Sequence, residues 1–140
     1  MELISEKQLV SIVGPGGAGK TALAREVGRR SIPAFPGGVW FCELASANET
    51  QVESVVLGTL DRSAGAGPVD AQRIAERLGD MPTLLILDNC EHGVETVANL
   101  AVELLAALPS LKLLTTSREP LDVAGEQLLR ISGLNDAAAV

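Results

Sequence analysis

Leu9-Val10-Ser11-Ile12-Val13 runs directly into Gly14-Pro15-Gly16-Gly17-Ala18-Gly19-Lys20-Thr21, and this junction decides the fold. The first five residues are mostly apolar and β-branched, which predicts a buried strand, and the glycines end it. The next eight fit G-x-x-x-x-G-K-[ST], and a helix is predicted from about Lys20 to Arg30. Strand, glycine loop and helix in that order separate a phosphate-binding loop from a glycine-rich turn that merely caps a helix. In such a loop the glycines let consecutive backbone N–H groups turn inward on phosphate oxygens, and the helix dipole adds to the attraction. Lys20 is then placed to reach the β and γ phosphates, and Thr21 supplies a hydroxyl for Mg2+, a role an apolar residue cannot fill.

Outward from the loop, strands and helices alternate. A second strand is predicted over Gly38–Leu44 after the turn at Phe35-Pro36-Gly37, and a helix over Glu49–Leu60. Ser63–Pro68 reads as a flexible glycine loop, and Asp70 opens a short helix with Ile74 and Leu78 on one face. Thr83-Leu84-Leu85-Ile86-Leu87-Asp88 is nearly all apolar, as a central strand covered on both faces must be. A helix over Val94–Leu108 stops at Pro109, and strands follow at Leu111–Thr116 and Gln127–Ile131. The fold expected is a three-layer α/β/α P-loop NTPase domain with a five-stranded, mainly parallel sheet, its ligands bound beyond the carboxyl ends of the strands.

Asp88 puts a carboxylate at the end of the most apolar strand, where burial is costly unless a cation or donors accompany it. With a phosphate loop about three strands upstream, Mg2+ is the natural partner, and Leu84-Leu85-Ile86-Leu87-Asp88 resembles a Walker B strand. The next position, where many P-loop ATPases carry a water-orienting acid, is Asn89, which cannot act as a base. Glu91, two residues further, is a candidate base, and equally a solvated loop acid; His92 reads as a helix cap. Thr115-Thr116-Ser117-Arg118 brings hydroxyls and a guanidinium to the same sheet edge, where Arg118 is the candidate sensor of the γ-phosphate. Arg25, Arg29 and Arg30 on the first helix read as solvated.

Composition narrows the rest. The chain has 140 residues, 46% hydrophobic, enough for one core and hence one domain. Its net charge of -7 argues against a sequence-independent grip on nucleic acid, which needs clustered Lys and Arg. Cys42 and Cys90 lie in apolar runs without metal-site spacing and read as reduced, buried thiols. No apolar run approaches the ~20 residues of a membrane span, and the start at Met1-Glu2 lacks a basic flank, so the cytoplasm is the expected location, with no membrane partner.

Four segments together resemble the signal-transduction ATPases with numerous domains (the STAND class), close to the NB-ARC domains. These are Gly14–Thr21, Gly38-Val39-Trp40-Phe41, Leu87-Asp88-Asn89-Cys90-Glu91-His92 and Thr116-Ser117-Arg118-Glu119-Pro120-Leu121. The phosphate loop is generic, whereas the Asp-Asn-Cys-Glu-His and Thr-Ser-Arg-Glu-Pro-Leu segments are specific, and within the class the likeness is to bacterial LuxR-type and related transcriptional regulators. The resemblance covers about Leu9 to Leu134. It implies a domain that binds ADP at rest, exchanges it for ATP on a signal and passes the change to fused effector or sensor domains, with a nucleotide-dependent oligomer as a further state. By position it assigns phosphate and metal to Lys20 and Thr21, the Walker B acid to Asp88 and the phosphate sensor to Arg118. Asn89 is usual in the bacterial subset and suggests slow hydrolysis. The class also carries an upstream Gly-Arg-Glu segment near adenine and a downstream helical and winged-helix lid. Neither is recognised between Met1 and Val140, where the sequence closes on Asp136-Ala137-Ala138-Ala139-Val140 as the start of a helix, so the expectation is a core whose affinity and turnover fall below those of a full-length relative.

Two other classes compete with a slow ATPase switch. A module that retains ADP without chemistry fits the missing second acid at Asn89. A small-molecule kinase or GTPase shares the loop, but the sequence has neither an Asn-Lys-x-Asp run to read guanine nor an arginine-rich lid.

Overall fold

The computed structural model describes residues 7–63 and 67–132. The expected helix start after Leu134 lies outside these residues, as does the middle of the glycine loop. Five strands form one sheet: β1 (Leu9–Val13), β2 (Val39–Glu43), β3 (Thr83–Asp88), β4 (Leu111–Ser117) and β5 (Glu126–Arg130). Their order is β2-β3-β4-β1-β5 and every pairing is parallel. Helices α1 (Lys20–Ser31), α2 (Val52–Leu60), α3 (Ala71–Leu78) and α4 (Val94–Ala107) fill the crossovers. The three-layer α/β/α architecture read from the sequence is the one observed. Element ends move by one to three residues: α2 begins at Val52 rather than Glu49, and β4 continues through Ser117.

Side-chain alternation explains why the central strands are apolar throughout. Leu84 and Ile86 of β3 join Val10, Ile12, Ala24, Val27 and Leu114 under α1. Leu85 and Leu87 point to the other face, where Leu113, Val56, Ile74, Val97 and Leu104 pack against α2, α3 and α4. All six residues of β3 are buried, whereas the edge strands β2 and β5 are mostly half-buried. α3 is capped at its start by the Asp70 side chain, which accepts from the Arg73 N–H.

The α1 layer lies close to the sheet because Gly28 faces it: a Cβ there would meet Ile86 Cδ1 at 2.7 Å and Val39 Cγ1 at 3.4 Å. That approach brings the start of α1, with Lys20 and Thr21, down to the carboxyl edge of the sheet. Gly28→Val should therefore lower stability by about 1–3 kcal/mol through overpacking. Urea denaturation would read the loss, and Ile86→Val, which deletes the opposing methyl, should reduce it. An unchanged unfolding midpoint in Gly28→Val would contradict the close approach.

Candidate functional site

The loop between β1 and α1 is anchored at its start, where the Gly14 N–H donates to the Ser117 carbonyl at 3.2 Å. Gly17 and Gly19 take φ values of 81° and 89°, the left-handed region that glycine enters without strain. Lys20 is buried, and its Nζ donates to the carbonyls of Gly14 (2.6 Å) and Pro15 (3.2 Å). Two of the three ammonium donors thus hold the loop curled around the lysine, and a third remains for an anionic oxygen.

Asp88 is fully buried at the end of β3, and partners surround it. Thr21 Oγ1 lies 3.1 and 3.0 Å from its two oxygens, Thr116 Oγ1 donates at 2.5 Å, and Asn89 Nδ2 donates at 3.2 Å. Thr116 in turn accepts from the Asn89 N–H at 2.8 Å. Asn89 takes φ 60° and ψ 59°, a left-handed conformation that asparagine tolerates better than most side chains. One carboxyl group thereby ties together the ends of β3 and β4 and the first turn of α1.

A second acid stands beside it. Glu43 ends β2 in register with Asp88, and its carboxylate accepts from the Ala45 N–H (2.8 Å) and from Asn89 Nδ2 (3.1 Å). Burial pushes the Asp88 carboxyl above its ordinary value, and the neighbouring Glu43 adds to the rise, against the lowering by the Thr116 and Thr21 hydroxyls. Partial burial raises Glu43 as well, but the donors Asn89 and Ala45, contact with Asp88 and the Arg25 charge bring it net below its ordinary value. Arg25 stands over the Phe41 ring at 4.2 Å, while Arg29 and Arg30 share Glu26 on the outer face of α1.

Arg118 follows β4 and is exposed; a Cβ on Gly16 would lie 3.3 Å from its Nη2, so the guanidinium hangs over the phosphate loop. A cleft of about 560 Å³ beside the loop is lined by Val13, Gly14, Pro15, Arg118, Arg130 and Ile131. The structure thus brings the loop, Lys20, Thr21, Asp88 and Arg118 to one edge. Glu91 lies in the one-turn 3₁₀ segment Cys90–His92, with Oε1 buried and unpartnered, and His92 is exposed before Gly93, which caps α4. Cys42 and Cys90 are buried free thiols; burial pushes the Cys42 pKa up to about 11 and raises Cys90 further. Sequence reasoning missed Glu43 and the role of Thr116 as an Asp88 partner. The signal available was an acid ending the second strand, but only the pairing of β2 with β3 gives it meaning.

A parallel sheet with its glycine loop and buried strand-end acid at the carboxyl edge defines the α/β/α P-loop class of nucleotide-binding domains. Residues 1–131 match the NB-ARC domain, and the chain belongs to that family. It is therefore a nucleotide-binding, ATPase-type domain. It is 35% identical over 139 residues to an "Uncharacterized protein" of Mycobacterium tuberculosis, covering 96% of this chain and 35% of the relative. It is 36% identical over 137 residues to a "Putative HTH-type transcriptional regulator" of the same organism, covering 95% of this chain and 15% of the relative. The chain thus spans about a third or less of the length of these relatives. Among solved structures it is similar to a Signal Transduction ATPase with Numerous Domains (STAND) protein with a tetratricopeptide repeat sensor from Pyrococcus horikoshii. That match has a TM-score of 0.61 at 19% identity and covers 93% of this chain and 21% of the other. No helix among the described residues is long and apolar enough to cross a membrane.

The elevated Asp88 carboxyl has a consequence for stability without ligand. The folded state holds the Asp88 proton to higher pH than the unfolded state, so this group destabilises the fold as pH rises from about 4, the ordinary carboxyl range, through its folded value. Asp88→Asn should gain stability relative to wild type over that window and then level off, as read by urea midpoints from acid to neutral pH. A variant that only loses stability, equally at every pH, would contradict this.

Proposed function

We propose that this chain is the nucleotide switch of a larger signalling or transcription-regulating ATPase, binding ATP or ADP with Mg2+ and hydrolysing ATP slowly. The observation that carries the reading is the Thr21–Asp88 contact beneath the glycine loop, with Lys20 curled into the loop and Arg118 above it. In this reading the loop N–H groups and Lys20 bind the β and γ phosphates, and Arg118 reads the presence of the γ-phosphate. Thr21 and Asp88 would hold Mg2+, whose charge offsets that on the β and γ oxygens. A cation in place of the Thr21 donor would also offset the desolvation that raises the Asp88 carboxyl.

The switch then works by differential contact. ATP and ADP differ by one phosphate, so Arg118 at the end of β4 is the element whose position would depend on which is bound, biasing contacts with neighbouring domains of the whole protein. The regulator among the relatives suggests that those neighbours include a transcriptional effector. The whole chain serves as one P-loop core in this scheme, with nucleotide and the rest of a multidomain regulator as its partners. The net charge of -7 argues against a direct, sequence-independent grip of this domain on nucleic acid. Asn89 at the position after Asp88 favours a second reading, an ADP-retaining module without turnover.

Calorimetric titration with ADP and ATP, with and without Mg2+, tests the cradle. Lys20→Ala should weaken binding by about 10–100-fold, the loss of a charge-assisted hydrogen bond. Arg118→Ala should cut ATP affinity by about tenfold or more and leave ADP affinity nearly unchanged. A folded wild-type chain that binds neither nucleotide would overturn the proposal, and phosphate release separates the switch from the ADP-retaining module.

A further inference from the structure

β2 ends on Glu43, one strand beyond Asp88 as counted from the phosphate loop: the sheet runs β1, β4, β3, β2 from the loop strand outward. Adjacent strands stand about 4.8 Å apart, so Glu43 ends one strand spacing farther from the loop strand than Asp88 does. Unlike the buried Asp88, Glu43 is exposed, so its carboxylate reaches solvent at the mouth of the site. It is nevertheless held. The Ala45 N–H donates to Oε1 at 2.8 Å and Asn89 Nδ2 donates to the same oxygen at 3.1 Å, while that amide also contacts Asp88 Oδ2 at 3.2 Å.

Asn89 thus has a role at the position where many P-loop ATPases carry an acid. Its left-handed backbone, fixed by the N–H bond to Thr116, sends its amide between the two carboxyl groups and sets Glu43 against the metal-holding acid. Glu91, by contrast, hangs in the following 3₁₀ turn with one oxygen buried and unpartnered.

We infer that Glu43 is the carboxylate that orients the attacking water and takes its proton, with Asn89 as its positioning residue. The inference rests on the ATPase reading above. In the step it describes, the water oxygen forms a bond to the γ-phosphorus as the bond from that phosphorus to the β-bridging oxygen breaks. The water proton passes to the Glu43 carboxylate and then to the released phosphate, and ADP leaves with the bridging oxygen. No co-reactant beyond water and ATP is needed. A carboxylate on the neighbouring strand supplies what Asn89 cannot.

Glu43→Gln tests this cleanly, because its Oε1 still accepts from Ala45 and Asn89 and the strand end is preserved, while the basic carboxylate is gone. Single-turnover hydrolysis of Mg-ATP should fall by about 100-fold or more, the usual contribution of a general base. Calorimetric affinity for Mg-ATP and Mg-ADP should stay within about threefold of wild type. The inference is overturned if Glu43→Gln hydrolyses at the wild-type rate, if Glu91→Gln loses hydrolysis while Glu43→Gln keeps it, or if wild type binds Mg-ATP without turning it over. If wild type binds no nucleotide, the ATPase reading itself fails, and the binding arm reports this separately from the hydrolysis arm.

Discussion

A carboxyl group at the end of a fully buried strand must find partners or give up its charge, and Asp88 finds them on two other elements and in its own chain neighbour. Thr21 comes from the first turn of α1, Thr116 from β4, and Asn89 from the residue that follows. The first two contacts tie α1 and β4 to β3. The Thr21 bond sets how far α1 slides along the sheet and therefore where the glycine loop stands. The Thr116 bond keeps β4 extended to Ser117, whose carbonyl anchors Gly14. The geometry of the loop is thus a consequence of how one buried acid is satisfied.

The satisfaction is incomplete, and the remainder bears on function. Burial, with the neighbouring Glu43, pushes the Asp88 carboxyl above its ordinary value against the lowering by the Thr116 and Thr21 hydroxyls. A cation bound at Asp88, as proposed, would link ligand binding and local stability in the same group. Lys20 is held in a similar way, its ammonium buried against two carbonyls with the third donor left over for the phosphate proposed above.

Much of this was legible in the sequence. The loop Gly14–Thr21 carried its own context, and the two-faced burial of Leu84–Leu87 follows from an uninterrupted apolar run. What sequence could not supply was the order of the strands. Asp88 and Thr116 are 28 positions apart and Asp88 and Glu43 are 45 apart, and only the order β2-β3-β4 makes them neighbours. Glu43 lay next to the end of a strand predicted over Gly38–Leu44 and carried no local mark of function. The left-handed turn at Asn89 was hidden for a similar reason: an asparagine after a strand reads as a missing acid until its amide is seen between two carboxyl groups.

The central claim is that Thr21 and Asp88 act as one unit that couples the phosphate loop to a metal ion. A double-mutant cycle with Thr21→Val and Asp88→Ala, scored by the Mg2+-dependent gain in ADP affinity, tests it most directly. The account predicts that either change alone removes most of that gain and that the pair together removes little more, a strongly non-additive cycle. Additive losses, or a Mg2+-dependent gain that survives both changes, would contradict it.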